Sequence, residues 1–407
     1  MKLNSMFRQY LFVATVPLVL FAIASFSCAS FPAKQNQPVR AADLQEEIQE
    51  HRFNAKVSFE VDPRWGLQKI PVKSATTFGR LQFVDALTGY AVDGKANLYK
   101  TIDGGVSWNK MKTFPGSSIS SILFPTEDVG LVATHTIPES SISGENALAR
   151  IFRTVDGGNS WTQVFEGRSL GIDSLSVSKS RVVFAAGSKS AVVDSVLEWS
   201  PLFMSSSDGG TSWNDISGGL IQEFERGNRI NGMPTDIIAD DNLVTVVTHH
   251  GSIISSDDLG KTWSFQAGVD RQGFPYSVRS LGWSKNGELL IYGSSSSMDH
   301  GTASFVASWS KASGWKIGLL PRYFLSDAVL LSSGEIVAVG FVFKDGHRSP
   351  RTGIVLTSSD NGENWQVIQE GGPENSFNSI SRLSEKRLFV TETGGDALVV
   401  ERKRAPF

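Results

Sequence analysis

The chain has 407 residues, a formal net charge of -3 and a single cysteine. This charge balance excludes the basic surface that is typical of nucleic-acid-binding proteins, and one cysteine excludes a disulfide framework or a cysteine-rich metal site. The chain is 40% hydrophobic, which is too apolar for a disordered protein, and its 39 glycines favour an all-β fold with many tight turns.

The N-terminus predicts export. Lys2 and Arg8 precede a stretch, residues 9–33, that contains no charged residue. Small residues lie just before Cys28, so cleavage there would leave a lipidated cysteine as the first residue, although the match to a bacterial lipobox is partial. Cleavage to a soluble form and retention as an anchor are alternatives. We therefore assign residues 1–27 to an export signal or membrane anchor, and expect an extracytoplasmic protein, periplasmic in a bacterium, that is held at the membrane.

Residues 28–54 are expected to form a linker between this signal and a folded domain. Residues 32–38 have a linker composition, and residues 41–52 place two apolar side chains, Leu44 and Ile48, among acidic ones. This pattern predicts a short solvated helix, with a partner-binding helix as the alternative, since so thin an apolar stripe is a poor binding surface.

Five segments share the pattern S/T-x-D-x-G-x-S/T-W, the last of them with Asn364 at the second hydroxyl position. Their aspartates, glycines and tryptophans are Asp103, Gly105 and Trp108; Asp156, Gly158 and Trp161; Asp208, Gly210 and Trp213; Asp258, Gly260 and Trp263; and Asp360, Gly362 and Trp365. The tryptophans recur about every 50 residues. The last gap is twice as long and contains Trp315, which indicates a decayed copy with Ser310 in place of the aspartate.

Each residue of the pattern has a structural reason. The aspartate can accept hydrogen bonds from the backbone of its own tight turn, and the glycine adopts the positive φ that other residues resist. The tryptophan buries a large ring between neighbouring sheets. We therefore expect each segment to join the last two strands of a four-stranded sheet. Continuous apolar runs upstream of the turns, such as residues 181–187 and 335–340, predict strands buried on both faces.

The two ends of the chain indicate a closed ring. After Trp365, strands are predicted at residues 378–383, 387–391 and 397–401, and residues 64–70 predict a lone strand near the start. We expect this N-terminal strand to complete the C-terminal blade, because closure removes the free edges between the first and last blades. One tryptophan for each blade gives the set Trp65, Trp108, Trp161, Trp213, Trp263, Trp315 and Trp365. The sequence thus predicts an all-β fold, one seven-bladed β-propeller of four-stranded blades over residues 55–407.

The five turns resemble Asp-box, or BNR, repeats. In addition, Leu81–Val92 (LQFVDALTGYAV) and Leu98–Gly105 (LYKTIDGG) are similar to the repeat of photosystem II assembly factors of the Ycf48/HCF136 type. The resemblance covers residues 55–402 and implies a seven-bladed, exported and often lipid-anchored propeller that binds membrane-protein partners without performing chemistry. The chain departs from that family in its degenerate fifth repeat and in long insertions within blades two, three, five and six.

A glycoside-hydrolysing propeller is the enzymatic alternative, since Asp-box propellers also include sialidases and xyloglucan-type glycosidases. Sialidases carry an early Arg-Ile-Pro motif, where this chain has Lys69-Ile70-Pro71, and lysine cannot supply a planar clamp for a carboxylate. The xyloglucan enzymes work in a cleft between two propellers, and this chain has the length of one. We therefore predict no catalytic residue and no cofactor, with carbohydrate binding as the alternative function.

The sequence predicts no metal site. One aspartate in each turn cannot supply the six or more oxygen ligands that Ca²⁺ takes, so we expect these aspartates to be structural. His135, His300 and His347 lie on three different insertions and could converge on zinc or copper, but they follow no metal-binding spacing.

The loops opposite the Asp-containing turns are the predicted binding surface. Four insertions, residues 135–149, 187–200, 293–302 and 341–352, and the segment 218–234 belong to it. Loops of this kind commonly carry function, and an arginine or tryptophan there could anchor a partner. The candidate residues are His135, Glu139, Trp199, Arg226, Arg229, His300, Lys344, His347, Arg348 and Arg351. The sequence thus predicts a monomeric scaffold for a membrane-associated protein complex. A purely structural envelope protein is the remaining alternative.

Overall fold

The computed structural model describes residues 50–70, 72, 77–136, 147–193, 196–219, 221, 232–268, 277–297, 301–343 and 351–403. All of them belong to one unit, Glu47–Phe407. None of the helices in these ranges is long and apolar enough to cross a membrane. The predicted signal, Cys28 and most of the predicted linker lie outside the described residues.

The described residues form thirty β-strands in seven sheets. The first fifteen strands are β1 (Glu50–Asn54), β2 (Lys56–Val61), β3 (Trp65–Ile70), β4 (Phe78–Phe83), β5 (Gly89–Asp93), β6 (Asn97–Thr101), β7 (Asn109–Thr113), β8 (Ser118–Leu123), β9 (Gly130–Thr136), β10 (Leu148–Thr154), β11 (Thr162–Arg168), β12 (Leu170–Val177), β13 (Val183–Val193), β14 (Val196–Ser206) and β15 (Asn214–Asp215). The others are β16 (Pro234–Asp240), β17 (Leu243–Thr248), β18 (Ser252–Ser256), β19 (Ser264–Gly268), β20 (Ser277–Trp283), β21 (Leu289–Ser297), β22 (Gly301–Ser310), β23 (Gly314–Pro321), β24 (Tyr323–Leu330), β25 (Ile336–Phe343), β26 (Arg351–Ser358), β27 (Asn364–Pro373), β28 (Phe377–Ser384), β29 (Arg387–Glu392) and β30 (Ala397–Arg402).

Each sheet is built on four antiparallel strands and forms one blade. Strands β4–β7, β8–β11, β12–β15, β16–β19, β20–β23 and β24–β27 form blades 1 to 6, and β28–β30 form blade 7 together with β3. The first strands of neighbouring blades contact one another in a closed ring, so these strands line the central axis. Apolar side chains fill the space between adjacent sheets, as where Tyr90 of blade 1 stacks on Phe124 of blade 2. The predicted seven-bladed propeller is confirmed.

The ring is closed by β3, as the sequence predicts. β3 pairs antiparallel with β30, from Trp65 opposite Arg402 to Ile70 opposite Ala397. Trp65 is buried and packs in the cluster that joins blades 6 and 7. The pairing gives the last blade its fourth strand, so the first and last blades share no open edge.

A cluster of ion pairs connects the segment just before β3 to blades 6 and 7. The buried carboxylate of Asp62 lies 2.5 Å from Nη2 of Arg64, and the same nitrogen lies 3.2 Å from Oε1 of Glu335. Arg402 of β30 reaches Oε2 of Glu335 at 3.1 Å. Two buried acids therefore meet two arginines, one from each end of the chain.

The two strands that precede β3 were not predicted from the sequence. β1 pairs parallel with β23 of blade 5, and β2 pairs parallel with β27 of blade 6. Residues 50–52, the end of the predicted helix, lie in β1, because hydrogen bonds to an open blade edge outweigh the weak preference of a short helix. The rest of the predicted helix, residues 41–49, lies outside the described residues.

Two insertions that were predicted as loops are extensions of strands. β13 and β14 remain paired out to Val193 and Val196, and β21 and β22 out to Ser297 and Gly301. β13 has 11 residues, whereas β5 in the same place of blade 1 has 5. At about 3.3 Å per residue, the hairpin of blade 3 extends roughly 20 Å further than that of blade 1.

The five Asp-containing turns share the hydrogen bonds of the aspartate carboxylate, and three of the five also have an indole bond from the tryptophan. In the first, the Asp103 carboxylate accepts a hydrogen bond from the Ser107 backbone N–H at 2.9 Å and one from the Thr101 hydroxyl at 2.8 Å. Gly105 has a φ of 91° and donates to the same hydroxyl, while the Trp108 indole donates to the Gly105 carbonyl at 3.0 Å. The other four carboxylates also bond the backbone N–H four residues ahead; they are Asp156, Asp208, Asp258 and Asp360.

The decayed fifth copy forms a different turn. Ser310 pairs opposite Gly314 in the β22–β23 hairpin, and its hydroxyl accepts a hydrogen bond from the Ser313 backbone at 3.1 Å. Trp315 is nevertheless fully buried. The packing role of the tryptophan therefore persists where the aspartate has been lost.

Candidate functional site

The antiparallel strand order divides the connections between two ends of the ring. The Asp-containing turns join third to fourth strands and lie at one end, whereas the second-to-third and inter-blade connections lie at the other, which we name the loop-rich end. Of the ten predicted binding residues, the structure describes His135, Trp199 and Arg351. The others lie outside the described residues: Glu139, Arg226, Arg229, His300, Lys344, His347 and Arg348.

Arg351 lies beside an aromatic cluster at the loop-rich end of blade 6. Its guanidinium carbon is 5.6 Å from the ring centroid of Phe341. The Phe341 ring stacks on Phe324 with centroids 5.0 Å apart and meets Phe343 edge-on at 5.5 Å. All three rings are only partly buried, so the cluster presents apolar and cationic surface together.

Trp199 lies on the projecting hairpin of blade 3. It pairs opposite Ser190 in the β13–β14 ladder and is half-buried. Among the side chains of this hairpin that the structure describes, the exposed apolar ones are instead Val192 and Val193, near its tip. Trp199 therefore supports the hairpin, and the tip carries the accessible apolar surface.

A second group of polar residues was not predicted from the sequence, and all but one of them lie on the strands that line the axis. Every one of the seven first strands contains a register shift against its second strand. Such bulges redirect side chains, and here polar side chains bridge each pair of neighbouring blades. Taken around the ring from the junction of blades 1 and 2, the bridging residues are Gln82, Ser121, Ser174, Asp236, Ser294, Asp327 and Ser381.

Five charged residues of these first strands interact across the axis: Arg80 of blade 1, Asp173 of blade 3, Asp236 of blade 4, Arg279 of blade 5 and Asp327 of blade 6. The charge of Arg279 acts on Arg80, and the charges of both arginines act on Asp173. Blades 1 and 5 are not neighbours in the ring, so side chains on their first strands can approach each other only through the central channel. We name these five residues the axial cluster.

Two members of the axial cluster are fixed by hydrogen bonds. The Asp236 carboxylate accepts bonds from the Ser174 hydroxyl at 2.7 Å, the Ser280 hydroxyl at 2.6 Å and two backbone N–H groups. The Asp327 carboxylate likewise accepts two backbone N–H bonds, a Ser379 bond at 2.8 Å and a Tyr292 bond at 3.4 Å. A carboxylate has about four acceptor positions, so both groups are saturated and hold their places.

The other three members are not fixed in this way. Among the described residues, none forms a hydrogen bond or a close ion pair with Arg80, Asp173 or Arg279. Solvent reaches all three side chains, yet the protein surrounds the channel on every side. Asp173 is exposed to the channel and the two arginines are half-buried, so all three charges lie there without direct partners.

This environment shifts the pKa values in the channel. Burial raises the pKa of Asp173 to about 6, because the attraction of Arg279 and Arg80 offsets the lost hydration only in part. Burial, together with the like charge of Arg279, lowers the pKa of Arg80 to about 10. Burial opposes the charge of Arg279, but the surrounding groups together outweigh it, among them Asp236, Asp327 and Asp173, so that its pKa is raised. Arg80 is thus the cation with the least compensated charge.

His135 connects the predicted surface to this channel. It lies near the end of β9 at the loop-rich end, and burial, aided by the positive charge of Arg80, lowers its pKa. His135 is therefore neutral at pH 7. Of the predicted histidine trio, only this member is described, and no group of three or more metal-binding side chains occurs in the described ranges.

Two comparisons place the chain among known propellers, although no protein-family model matches it. The photosystem II assembly lipoprotein Ycf48 of Synechococcus sp. (strain CC9902) is 23% identical over 326 residues, which are 78% of this chain and 83% of that protein. A solved structure of Ycf48 bound to a D1 peptide has a TM-score of 0.52 and 16% identity, over 86% of this chain and all of that one. The chain is similar to Ycf48 in sequence and in fold. The predicted resemblance to Ycf48-type propellers is confirmed.

A glycosidase shares the architecture. The GH74 xyloglucanase of Xanthomonas campestris has a TM-score of 0.55 and 14% identity, over 82% of this chain. This chain spans about half of that enzyme, 53% of its length. At 14% identity this similarity establishes a shared propeller fold and nothing about function.

Proposed function

We propose that this chain is a non-catalytic assembly protein that holds a membrane-associated protein partner at its loop-rich end. The observation that carries the proposal is the likeness to Ycf48, which extends through most of the sequence and around the whole ring. One of those relatives is a photosystem II assembly lipoprotein and another is bound to a D1 peptide. We extend a protein partner and an assembly role to this chain, and take photosystem II as the first complex to test.

The geometry supports the loop-rich end over the opposite end. The carboxylates of the Asp-containing turns are occupied by their own backbones and hydroxyls, which leaves them little capacity for a partner. The loop-rich end carries the projecting hairpin of blade 3 and the aromatic cluster beside Arg351. Aromatic rings and arginine are the residue types that contribute most to protein interfaces.

The axial carboxylates support a binding role over hydrolysis. A glycosidase needs two carboxyl groups free to transfer a proton and to act as nucleophile or base. Asp236 and Asp327 each accept four hydrogen bonds, so only Asp173 is free for such chemistry.

We further propose that the protein acts outside the cytoplasm and is held at a membrane through Cys28 or an uncleaved N-terminal segment. The likeness to a lipoprotein and the uncharged stretch before Cys28 support this placement.

Crosslinked purification from native membranes tests the proposal. The full chain is compared with a variant in which Arg226, Arg229, Arg348 and Arg351 are changed to Glu. A matched control carries the same change of charge on four exposed lysines at the Asp-turn end: Lys261, Lys285, Lys311 and Lys386. We expect the native chain and the lysine control to retain a membrane-protein complex with photosystem II subunits, and the arginine variant to lose it.

Two outcomes would contradict the proposal. If the arginine variant retained the membrane complex as well as the native chain does, the loop-rich end would not be the binding surface. Retention of no protein by any variant, together with binding to glycans in a carbohydrate screen, would move the function to carbohydrate recognition.

A further inference from the structure

The Asp-turn end carries a small apolar surface on blades 1 and 2. Nine large apolar side chains are exposed in the part of the chain that the structure describes, and four of them lie there: Leu87, Ile102, Val106 and Val155. Ile102 is 67% exposed and Val155 is 57% exposed. Single exposed apolar side chains are ordinary, whereas a group of them marks a contact with another molecule. We name these four residues the aliphatic patch.

Three members of the aliphatic patch lie on two touching turns of blade 1. Leu87 belongs to the turn between β4 and β5, and its carbonyl accepts a hydrogen bond from the Gly104 N–H at 2.9 Å. Gly104 lies in the Asp-containing turn, between Ile102 and Val106. The turns approach so closely that a Cβ on Gly104 would lie 3.2 Å from the Ala86 carbonyl oxygen. These three side chains therefore share one surface.

The fourth member, Val155, lies on the Asp-containing turn of blade 2, which rests on blade 1. The Gly157 carbonyl of that turn accepts a hydrogen bond from the Tyr90 hydroxyl and one from the Lys100 ammonium, both at 3.2 Å. Tyr90 and Lys100 belong to blade 1, on strands that adjoin the turns of Leu87 and Ile102. The patch therefore extends over two neighbouring blades.

The fold does not require aliphatic residues at these positions. In the three other Asp-containing turns, the residue before the aspartate is Ser207, Asp257 or Ser359. Those turns form the same bond from the backbone N–H to the aspartate carboxylate. Ile102 and Val155 are also mostly exposed, so they contribute little to the core. Their presence is better explained by contact with another molecule than by folding.

The border of the aliphatic patch is acidic. Asp85, which lies in the same turn as Leu87, is exposed, and so are Glu127 and Asp128. The Asp128 carbonyl accepts a hydrogen bond from the Gly157 N–H at 2.9 Å, which places this acidic turn beside the turn of Val155. Carboxylates in this position attract a cationic partner and repel an acidic one.

We propose that the aliphatic patch is a second docking surface, whose occupant is a protein segment that places aliphatic side chains next to lysine or arginine. The aliphatic contacts remove apolar surface from water, and the border carboxylates select the charge. The same carboxylates disfavour a membrane with anionic lipids, which would repel them. This surface goes beyond the proposed function, because a scaffold with docking surfaces at both ends of the ring holds two proteins at once.

Titration of the full chain with three peptides tests the surface. One peptide alternates lysine with leucine, the second alternates glutamate with leucine, and the third alternates lysine with serine. Binding is followed through the methyl signals of isotope-labelled isoleucine, leucine and valine. We expect the lysine–leucine peptide to shift the signals of Ile102 and Val155, and the other two to bind at least tenfold more weakly.

Variants connect the binding to the aliphatic side chains. Ile102→Ser combined with Val155→Ser gives both turns the serine that two other turns carry, so the fold should persist, which circular dichroism checks. We expect this double variant to bind the lysine–leucine peptide about tenfold more weakly, followed through the Leu87 signal. Val192→Ser combined with Val193→Ser is the matched control, because it removes two exposed valines from the hairpin of blade 3. The control should bind as the native chain does.

A second pair of variants tests the charge. Glu127→Gln combined with Asp128→Asn keeps the backbone carbonyls that hold the turn and removes two border charges. We expect it to weaken binding of the lysine–leucine peptide several-fold. Asp257→Asn combined with Glu363→Gln removes two exposed charges from the turns of blades 4 and 6 and should change nothing.

Three results would overturn the surface. They are unchanged Ile102 and Val155 signals with the lysine–leucine peptide, equal binding of the glutamate–leucine peptide, and unweakened binding by the folded serine variant. If vesicles of phosphatidylcholine and phosphatidylglycerol shift these signals and the peptides do not, the patch contacts lipid instead. The proposed function is judged separately, since the serine variant should still retain the membrane complex through the loop-rich end. If the native chain retains no complex, the assembly role fails whatever the peptides do.

Discussion

At the scale of single residues, the carboxylate of an Asp-containing turn replaces backbone hydrogen bonds that a tight turn cannot make for itself. Asp360 accepts bonds from the Asn364 backbone at 2.9 Å, the Asn364 side chain at 2.7 Å and the Ser358 hydroxyl at 2.8 Å. Asp360→Ala removes all three, and we expect it to lower the free energy of unfolding by about 1–2 kcal/mol. Ser310→Ala in the decayed turn is the control and should cost less, because Ser310 accepts one backbone bond. Urea unfolding measures both, and equal effects would contradict the structural role of the aspartate.

Asp173 is the residue whose effect on stability depends most directly on pH. Its pKa is about 6 in the folded chain against 3.8 for a free carboxyl group. The folded state therefore favours the protonated form, and this contribution is complete below about pH 4 and is lost as the pH rises through about 6. Discounted for solvent in the channel, the loss is about 1 kcal/mol. We expect Asp173→Asn to raise thermal stability at pH 7.5 and not at pH 4, and an equal effect at both pH values would contradict the pKa shift.

The sequence predicts the residues of the turns because their interactions are local. Asp103, Gly105 and Trp108 contact one another within a few positions, and the repeat multiplies the signal. The axial cluster has no local signature, since Arg80 and Arg279 are about 200 positions apart and lie in one channel only after the ring closes. The axial cluster could have been found by comparing the polar residues in the first strands of all the repeats.

At the scale of elements, the charged cluster at the ring closure is a buried contact between the two ends of the chain. Glu335 is 3% exposed and pairs with Arg64 and Arg402. Glu335→Gln leaves both guanidinium groups with a neutral neighbour, and we expect a loss of about 2–3 kcal/mol. Glu401→Gln is the matched control, because Glu401 is exposed and lies 3.9 Å from Arg387, and should cost less than about 0.5 kcal/mol. Similar losses in the two variants on denaturant unfolding would contradict this role.

The three N-terminal strands differ in what they contribute. β3 buries Trp65 and supplies the fourth strand of blade 7, whereas β2 is mostly exposed, with Phe59 and Val61 open to solvent. We expect a chain that begins at Asp62 to fold as a ring, and a chain that begins at Val72 to expose the edge of β30 and aggregate. Size-exclusion chromatography and thermal unfolding compare the two. A folded, monomeric chain without β3 would contradict ring closure by that strand.

Strand β3 could be predicted from the sequence, and β1 and β2 could not. The lone strand beside Trp65 matches a known gap, namely the three-stranded remainder after Trp365. β1 and β2 fill no such gap, because blades 5 and 6 already have four strands. Their mostly exposed side chains also carry little periodic pattern. The extended hairpin of blade 3 was predicted as a loop for a related reason: its outer residues mix polar, small and apolar side chains, so no continuous apolar run marks a strand there.

At the scale of the whole molecule, the blades share a common frame and differ mainly at one end of the ring. Side-chain hydrogen bonds link every pair of neighbouring blades around the axis, and the repeated turns occupy the opposite end. Differences among blades are concentrated at the loop-rich end, where the hairpin lengths and the aromatic cluster vary. Such a division is typical of scaffolds that present binding surfaces on loops.

Site-specific photocrosslinking in native membranes shows directly whether this protein binds its partner at the loop-rich end. A photoreactive amino acid replaces Phe343, in the aromatic cluster beside Arg351, or Lys311, at the Asp-turn end. Our account predicts a covalent adduct with a membrane-protein subunit from position 343 and none from position 311. An adduct from position 311 alone would contradict it.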